Sequence, residues 1–192
     1  LLRHAFKLQR IKKLHSLLLK EGLLDKFEKG QISEQEFIAS FAAVLKGNDK
    51  DSFIRTAWNS MIIGIPKKKA ELLTYLRPKL RVFILSNTNS IHVAYFNEIL
   101  QQNYGISNFS EICEKAYYSY EMGLRKPDPG IFSSLLNDSS LLAEETLFID
   151  DNTNNTEAAA GLGINVMHCL QEEDLIGKLK ENRLTASIFD EQ

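Results

Sequence analysis

Cysteine is scarce in this chain: Cys113 and Cys169 are the only two among 192 residues. Two thiols are too few for a disulfide framework, and their separation is not that of paired metal ligands. A reducing, cytoplasmic setting is therefore expected. An excess of either charge is also lacking, with 23 Lys and Arg against 25 Asp and Glu and a net charge of -2. That balance predicts neither nucleic acid nor an anionic membrane as partner. No apolar run is long enough to span a bilayer. The opening stretch, Leu1 to Lys7, is basic and partly apolar but has neither the apolar core nor the cleavage site of a signal peptide. Internal repeats and low-complexity segments are absent, and nothing specifies an oligomeric state. What remains is 44% hydrophobic and 25% charged, enough to bury the core of one ordinary domain or of a core with a smaller module attached.

The first third carries helical periodicity throughout. Phe6, Ile11, Leu14, Leu17 and Leu18 fall on one face, with Arg3, Lys7, Arg10 and Lys13 elsewhere. Such a basic amphipathic helix can lie on a membrane, but packing on a neighbour with a solvated basic side is the commoner use. Ser33-Glu34-Gln35-Glu36 has the form of a capping box, with Ile32 and Phe37 placed as its staple. The helix it opens is expected to end near Gly47-Asn48, and a further helix from Asp51 presents Phe53, Ile54, Ala57, Trp58 and Met61. Trp58, the only tryptophan, suits core packing, although an indole can also line a pocket. Asp49-Lys50-Asp51 follows no apolar strand and is set aside as a catalytic pair. Gly64-Ile65-Pro66 then breaks the pattern and marks a boundary.

From Pro66 onward helices alternate with short apolar strands. A helix over 68–76 leads to a buried strand at Arg81–Leu85, and another helix runs from Ser90 to Gln102. A weaker strand follows at Ala116–Tyr118. Asp128 caps a helix that has Pro129 at its first position. Leu147-Phe148-Ile149 is a continuous apolar run, as expected of a strand buried on both faces. A helix over 156–162 and a strand over 164–168 complete the series. Strands alternating with helices predict parallel β-α-β units: an α/β, three-layer, Rossmann-like parallel-sheet core over 66–192, carrying a small all-helical cap over 1–65.

Three polar clusters fall at or just beyond the carboxyl ends of strands, where open α/β sheets bind ligands. Ser86 and Asn87 offer a hydroxyl and an amide, Lys126 an ammonium, and Asp150 and Asp151 two carboxylates. Adjacent carboxylates repel, raising the pKa of one unless a cation or donor lies between them. Taken singly, each cluster is more often a solvated turn. Together they are the set a phosphoryl site needs: donors for the equatorial oxygens, a lysine to offset their charge, and carboxylates for Mg²⁺.

Leu85-Ser86-Asn87-Thr88-Asn89, Gly123-Leu124-Arg125-Lys126-Pro127-Asp128-Pro129 and Phe148-Ile149-Asp150-Asp151-Asn152 resemble motifs II, III and IV of the haloacid dehalogenase superfamily. The resemblance spans at least 66–170, and the helices before Pro66 look like that family's small cap. Ser-Asn-Thr-Asn followed by His92 is most similar to its sugar-phosphate phosphatases of the glucose-1-phosphate type. The resemblance implies an Mg²⁺-dependent phosphomonoester hydrolase acting on a small phosphorylated metabolite. Ser86 and Asn87 would contact the phosphoryl group, Lys126 would neutralise it, and Asp150 and Asp151 would hold the metal directly or through water.

Motif I of that family, an apolar strand ending in Asp-x-Asp, is not found in these residues. The family places that strand between those carrying Ser86 and Asp150 and draws from it the nucleophile of an aspartyl-phosphate intermediate. Without it this chain would hydrolyse nothing. Two other readings stand beside the phosphatase: a metal-free 2-haloacid dehalogenase, which the paired aspartates argue against, and a non-catalytic module that binds phosphoryl ligands. A serine-hydrolase reading of Ser86 fails for want of a Gly-x-Ser-x-Gly elbow, and Gly161-Leu162-Gly163 follows a helix instead of opening one. Asp150→Asn is expected to leave metal-free stability nearly unchanged, on the premise that the site is a solvent-exposed edge. The encoded protein is expected to carry roughly 15–30 further N-terminal residues, enough for a strand and a loop. Sequencing the gene tests this, and a start codon immediately before Leu1 would refute it.

Overall fold

The computed structural model describes residues 16, 18, 22–45, 51–62, 64–170 and 174–189. The amphipathic face read over Phe6 to Leu18 falls almost wholly outside them, as does the expected helix end at Gly47-Asn48.

Three helices open the described chain: α1 (Leu23–Glu28), α2 (Glu34–Leu45) and α3 (Asp51–Asn59). The capping box forms as its residue types require. The Ser33 N–H donates to Glu36 Oε2 at 2.7 Å, and the Glu36 N–H donates to Ser33 Oγ at 3.2 Å. The Ser33 N–H, together with the Ser33 hydroxyl donating to the same oxygen at 2.8 Å, stabilises the ionised carboxylate and lowers the Glu36 pKa. Phe27, Phe37, Ile38, Ile54 and Trp58 close a cluster that reaches across to Ile91 in the next part of the chain. Each such side chain contributes about 1.5–3 kcal/mol relative to exposure. Of the five apolar positions expected, only Ile54 and Trp58 are buried; Ala57 is exposed, and Phe53 and Met61, the latter just beyond α3, are 58% and 57% exposed. Phe53 lies on the side of α3 away from Phe37.

None of the described residues before Pro66 pairs with a strand. After α4 (Lys67–Leu76) come β1 (Phe83–Ser86), α5 (Ser90–Tyr104), β2 (Lys115–Tyr118), the single-turn α6 (Ser119–Met122) and α7 (Pro129–Asp138). They are followed by β3 (Leu147–Asp150), α8 (Thr153–Ala160), β4 (Asn165–His168) and α9 (Leu175–Glu181). β1 pairs in parallel with β2, setting Ser86 opposite Tyr118, and β3 pairs in parallel with β4, setting Asp150 opposite His168. Helices cover both faces. Phe148 packs toward Ile131, Phe132 and Ala159, while Leu147 and Ile149 pack toward Leu72, Leu76 and Leu179. This is the three-layer α/β core with a helical layer attached.

Two expectations need correction. β1 and β3 are only half-buried along their length, because among the described residues each is paired along one edge. α8 begins three residues before Thr156, since the Asn152 side chain accepts from the Asn154 N–H at 3.0 Å and caps the helix there.

The helical layer meets the core at several places, among them the Ser90 hydroxyl of α5 donating to Glu34 Oε2 at 2.9 Å, the turn at Gly30, and Trp58. At Gly30, with φ +63°, a Cβ would lie 2.1 Å from the Tyr120 carbonyl oxygen, so only glycine fits this turn against α6. The Trp58 indole stacks on His92 of α5 with centroids 5.2 Å apart and planes at 18°. Asn89 Oδ1 accepts from the His92 N–H at 3.1 Å, with Trp58 Nε1 3.4 Å away. The Trp58 carbonyl lies 3.4 Å from His92 Nε2.

Burial lowers the His92 pKa below its ordinary value of 6.5, against the opposing pull of the Trp58 carbonyl. The folded protein therefore favours neutral imidazole more than the unfolded chain does. That contribution to stability is complete above pH 6.5 and is lost as pH falls from there through the folded value. Thermal melts followed by tryptophan emission should show a midpoint decline below that pH. His92→Phe, which keeps a stacked ring but cannot titrate, should remove this part of the decline. An identical pH profile in the variant would refute the assignment.

Candidate functional site

The polar clusters converge on Lys126. Its ammonium donates to Asp150 Oδ2 at 2.7 Å, and the two side chains are only 10% and 7% exposed. Asp150 Oδ1 accepts from the Asn152 N–H and from Asn155 Nδ2, both at 2.9 Å. Burial works to raise the Asp150 pKa, but the Lys126 ammonium together with these two N–H groups outweighs it, and the carboxyl is held below its ordinary range. The cation required between neighbouring carboxylates is thus lysine on the Asp150 side. Asp151 is exposed, its carboxylate makes no hydrogen bond among the described residues, and its carbonyl lies 2.9 Å from His168 Nε2.

Asn87 fixes Lys126 through the main chain. Its Nδ2 donates to the Lys126 carbonyl and its Oδ1 accepts from the Lys126 N–H, each at 2.8 Å. One carboxamide thereby holds both polar groups of a single residue, tying the loop after β1 to the loop before α7. Ser86 ends β1 beside it, half-buried, with its hydroxyl free of hydrogen bonds among the described residues. The next residue, Thr88, is gripped by the fully buried Ser119, whose Oγ accepts from the Thr88 N–H at 2.9 Å and donates to its carbonyl at 3.0 Å.

Asn155, Ser119 and Arg125 were not among the residues expected from sequence. Asn155 sits in the polar string one helical turn past Asp150, the one signal that could have singled it out. Ser119 and Arg125 carry no local signal, because their partners lie far away in sequence.

Three helices begin at this edge. α5 is capped by Asn89, α7 by Asp128 and α8 by Asn152. Their unpaired N–H groups and positive dipole ends favour an anion there. An ammonium, a free hydroxyl, helix N-termini and two aspartates form a site for a polyanion accompanied by a hard cation. For Mg²⁺ the donor chemistry fits: Asp150 and Asp151 supply hard oxygen ligands. No group of three His, Cys, Asp or Glu gathers among the described residues, yet Mg²⁺ needs only one or two carboxylates when phosphate and water complete its shell.

A parallel α/β core with this constellation at its strand ends is the arrangement of a protein that handles anionic ligands. The family model for haloacid dehalogenase-like hydrolases matches residues 11–163, and the chain belongs to that family. A haloacid dehalogenase family enzyme from Bacteroides thetaiotaomicron, solved with magnesium and inorganic phosphate, superposes with a TM-score of 0.80 at 34% identity over 90% of this chain and 87% of that one. A HAD-like family hydrolase from Porphyromonas gingivalis gives a TM-score of 0.80 at 27% identity, covering 93% and 89% of the two chains. A D-ribitol-5-phosphate phosphatase of B. thetaiotaomicron is 28% identical over 142 residues, 74% of this chain and 68% of the relative.

Asp150 does not occupy the solvent-exposed edge on which the expectation of unchanged stability rested. It is one half of a buried ion pair. Lys126→Met, which strands its carboxylate, should cost about 3–5 kcal/mol. Asp150→Asn keeps an acceptor for Asn152 and Asn155 and should cost less, but measurably. Urea unfolding of the full-length protein with chelator present checks both, and two wild-type curves would show that the pair contributes nothing.

Proposed function

We propose that this protein is an Mg²⁺-dependent phosphomonoester hydrolase acting on a small phosphorylated metabolite, in the class of sugar or sugar-alcohol phosphates. The observation that carries the reading is the placement of Lys126, joined at once to Asn87 beyond β1 and to Asp150 at the end of β3. A dianionic phosphoryl group entering between these strand ends meets an ammonium that is already oriented, with no reorganisation needed at the moment of transfer. Ser86 would donate its hydroxyl to an equatorial oxygen. Asn87, its carboxamide committed to Lys126, would serve the phosphoryl group chiefly through the loop it holds.

Asp150 and Asp151 would hold Mg²⁺, which when bound neutralises and orients the phosphoryl group. The solved relative with magnesium and inorganic phosphate supports that assignment. One relative is a D-ribitol-5-phosphate phosphatase, whose substrate is an acyclic polyol ester. That favours phosphorylated polyols and open-chain sugars as first substrates to try.

The nucleophile in this reading is the aspartate of the family's motif I, which these residues do not contain. Its strand would lie between β1 and β3, whose facing edges are unpaired with each other among the described residues. Its carboxylate oxygen forms a bond to phosphorus as the ester P–O bond breaks, and water then releases phosphate from the aspartyl-phosphate. A cytoplasmic location accords with the free thiols of Cys113 and Cys169.

The test is hydrolysis of p-nitrophenyl phosphate and of a panel of sugar and polyol phosphates by the full-length protein, with Mg²⁺ and with chelator. Wild type should turn over only with the metal. Asp150→Asn should lose at least about 100-fold in kcat/KM, since removing a metal ligand also removes transition-state charge stabilisation. Turnover indifferent to chelation, or undiminished in Asp150→Asn, would overturn the metal-dependent mechanism.

A further inference from the structure

Arg125 immediately precedes Lys126, and its partners lie in a different part of the molecule. Its Nη1 is 3.2 Å from Asp25 Oδ1 and its Nη2 is 3.0 Å from Glu28 Oε2, both on α1 of the helical layer. Asp25 also pairs with Lys29 at 2.9 Å, so the local set has two carboxylates and two cations. This is not an ordinary surface pair, which would contribute little. The Glu28 side chain is only 13% exposed and that of Arg125 31%. Desolvation raises the Glu28 pKa above its ordinary value and the neighbouring Asp25 adds to the rise, while the Arg125 guanidinium opposes both.

The main chain of Arg125 is fixed as well. Its carbonyl accepts the Asp128 N–H at 3.0 Å, closing the turn that contains Lys126, and Asp128 in turn caps α7. One residue is therefore held by α1 at its side-chain end and by the lysine turn at its backbone end. Successive Cα atoms are about 3.8 Å apart across a trans peptide, so a displacement of the guanidinium has very little chain in which to dissipate before it reaches Lys126.

We propose that Arg125 is a positioning residue, through which the seating of α1 by Asp25 and Glu28 sets the Lys126 ammonium against Asp150. The helical layer thereby acts on the reaction through the lysine. This rests on the phosphatase reading for its kinetic test but not for its thermodynamic one.

Steady-state kinetics of the full-length protein with p-nitrophenyl phosphate and Mg²⁺ give the first measurement. Arg125→Gln should lower kcat by about tenfold or more with KM changed by less than about threefold, the pattern of an effect felt in the transition state. Arg125→Lys, able to pair with one acid but not grip both, should recover part of the loss. A raised KM with kcat unchanged would make Arg125 a substrate contact or a docking residue only, and would overturn the proposal. The second measurement needs no activity: urea unfolding with chelator of Glu28→Gln, Lys126→Met and the double variant. Coupling through Arg125 should make the double variant's unfolding constant depart from the product of the single effects by about fivefold or more. Additive effects would refute the proposal. A full-length wild type without turnover would instead count against the phosphatase reading and leave the unfolding cycle to decide the role of Arg125.

Discussion

The buried pair between Lys126 and Asp150 is the constraint on which the rest of the arrangement depends. A carboxylate with so little exposure is tolerated only when its charge is met, and a lysine in the same position has the same need. Each makes the other admissible. The burial also gives the pair its chemical use: in a site from which water is largely excluded, the ammonium acts on an incoming anion with far more force than it would at the surface. The loops around the pair serve to keep both charges in place without letting water replace either.

Those loops belong to segments widely separated in the chain. Asn87 comes after β1, Lys126 before α7, and Asn152 and Asn155 belong to the start of α8. Each segment has its own local reason to be ordered: Asn89, Asp128 and Asn152 cap the helices that follow. The caps do two things at once. They satisfy the first amides of their helices, and they fix where each strand-end loop stops, so that the side chains just before them arrive at one place.

How far this could be read from sequence follows the range of the interactions involved. The strand at Leu147–Asp150, the capping box at Ser33 and the helix opening at Asp128-Pro129 are local patterns, and all are found as expected. Ser86, Asp150 and Asp151 stand out in the sequence because each ends or follows an apolar run, and Lys126 because it comes just before a helix N-terminus. Arg125 was not: an arginine beside a lysine and before a proline looks like solvated charge, and its partners Asp25 and Glu28 lie about a hundred positions away, where no periodicity reaches. The same holds for Ser119, a small residue in a four-residue helix. α9 is short and has Gly177 inside it, so it carries little periodicity of its own, yet its Leu179 packs with Leu72 and Leu76. The exposure of Phe53 and Met61 shows the converse, an apolar pattern wider than the neighbouring helices can cover.

The four residues after Leu85 show why this stretch needs its particular side chains. Ser86 is the last strand residue and keeps an unengaged hydroxyl at the edge of the site. Asn87 turns inward to Lys126. Thr88 presents main chain to Ser119, and Asn89, fully buried, caps α5 and meets Trp58 of the helical layer. A polar group left unpaired at such depth costs about 1–3 kcal/mol; Asn87 and Asn89 meet that need through their side chains and Thr88 through its main chain, while the buried Thr88 hydroxyl finds no partner among the described residues. The partners lie in α3, α5, α6 and the lysine loop. A displacement of the helical layer therefore arrives at the site by two routes, through Trp58 to Asn89 and through Asp25 and Glu28 to Arg125. The first route ends on the loop that positions Ser86 and Asn87, and the second ends on Lys126, the residue Asn87 holds. Both routes meet in the hydrogen bonds between Asn87 and Lys126, so under this proposal a shift of the helical layer would bear on the main chain that carries the ammonium.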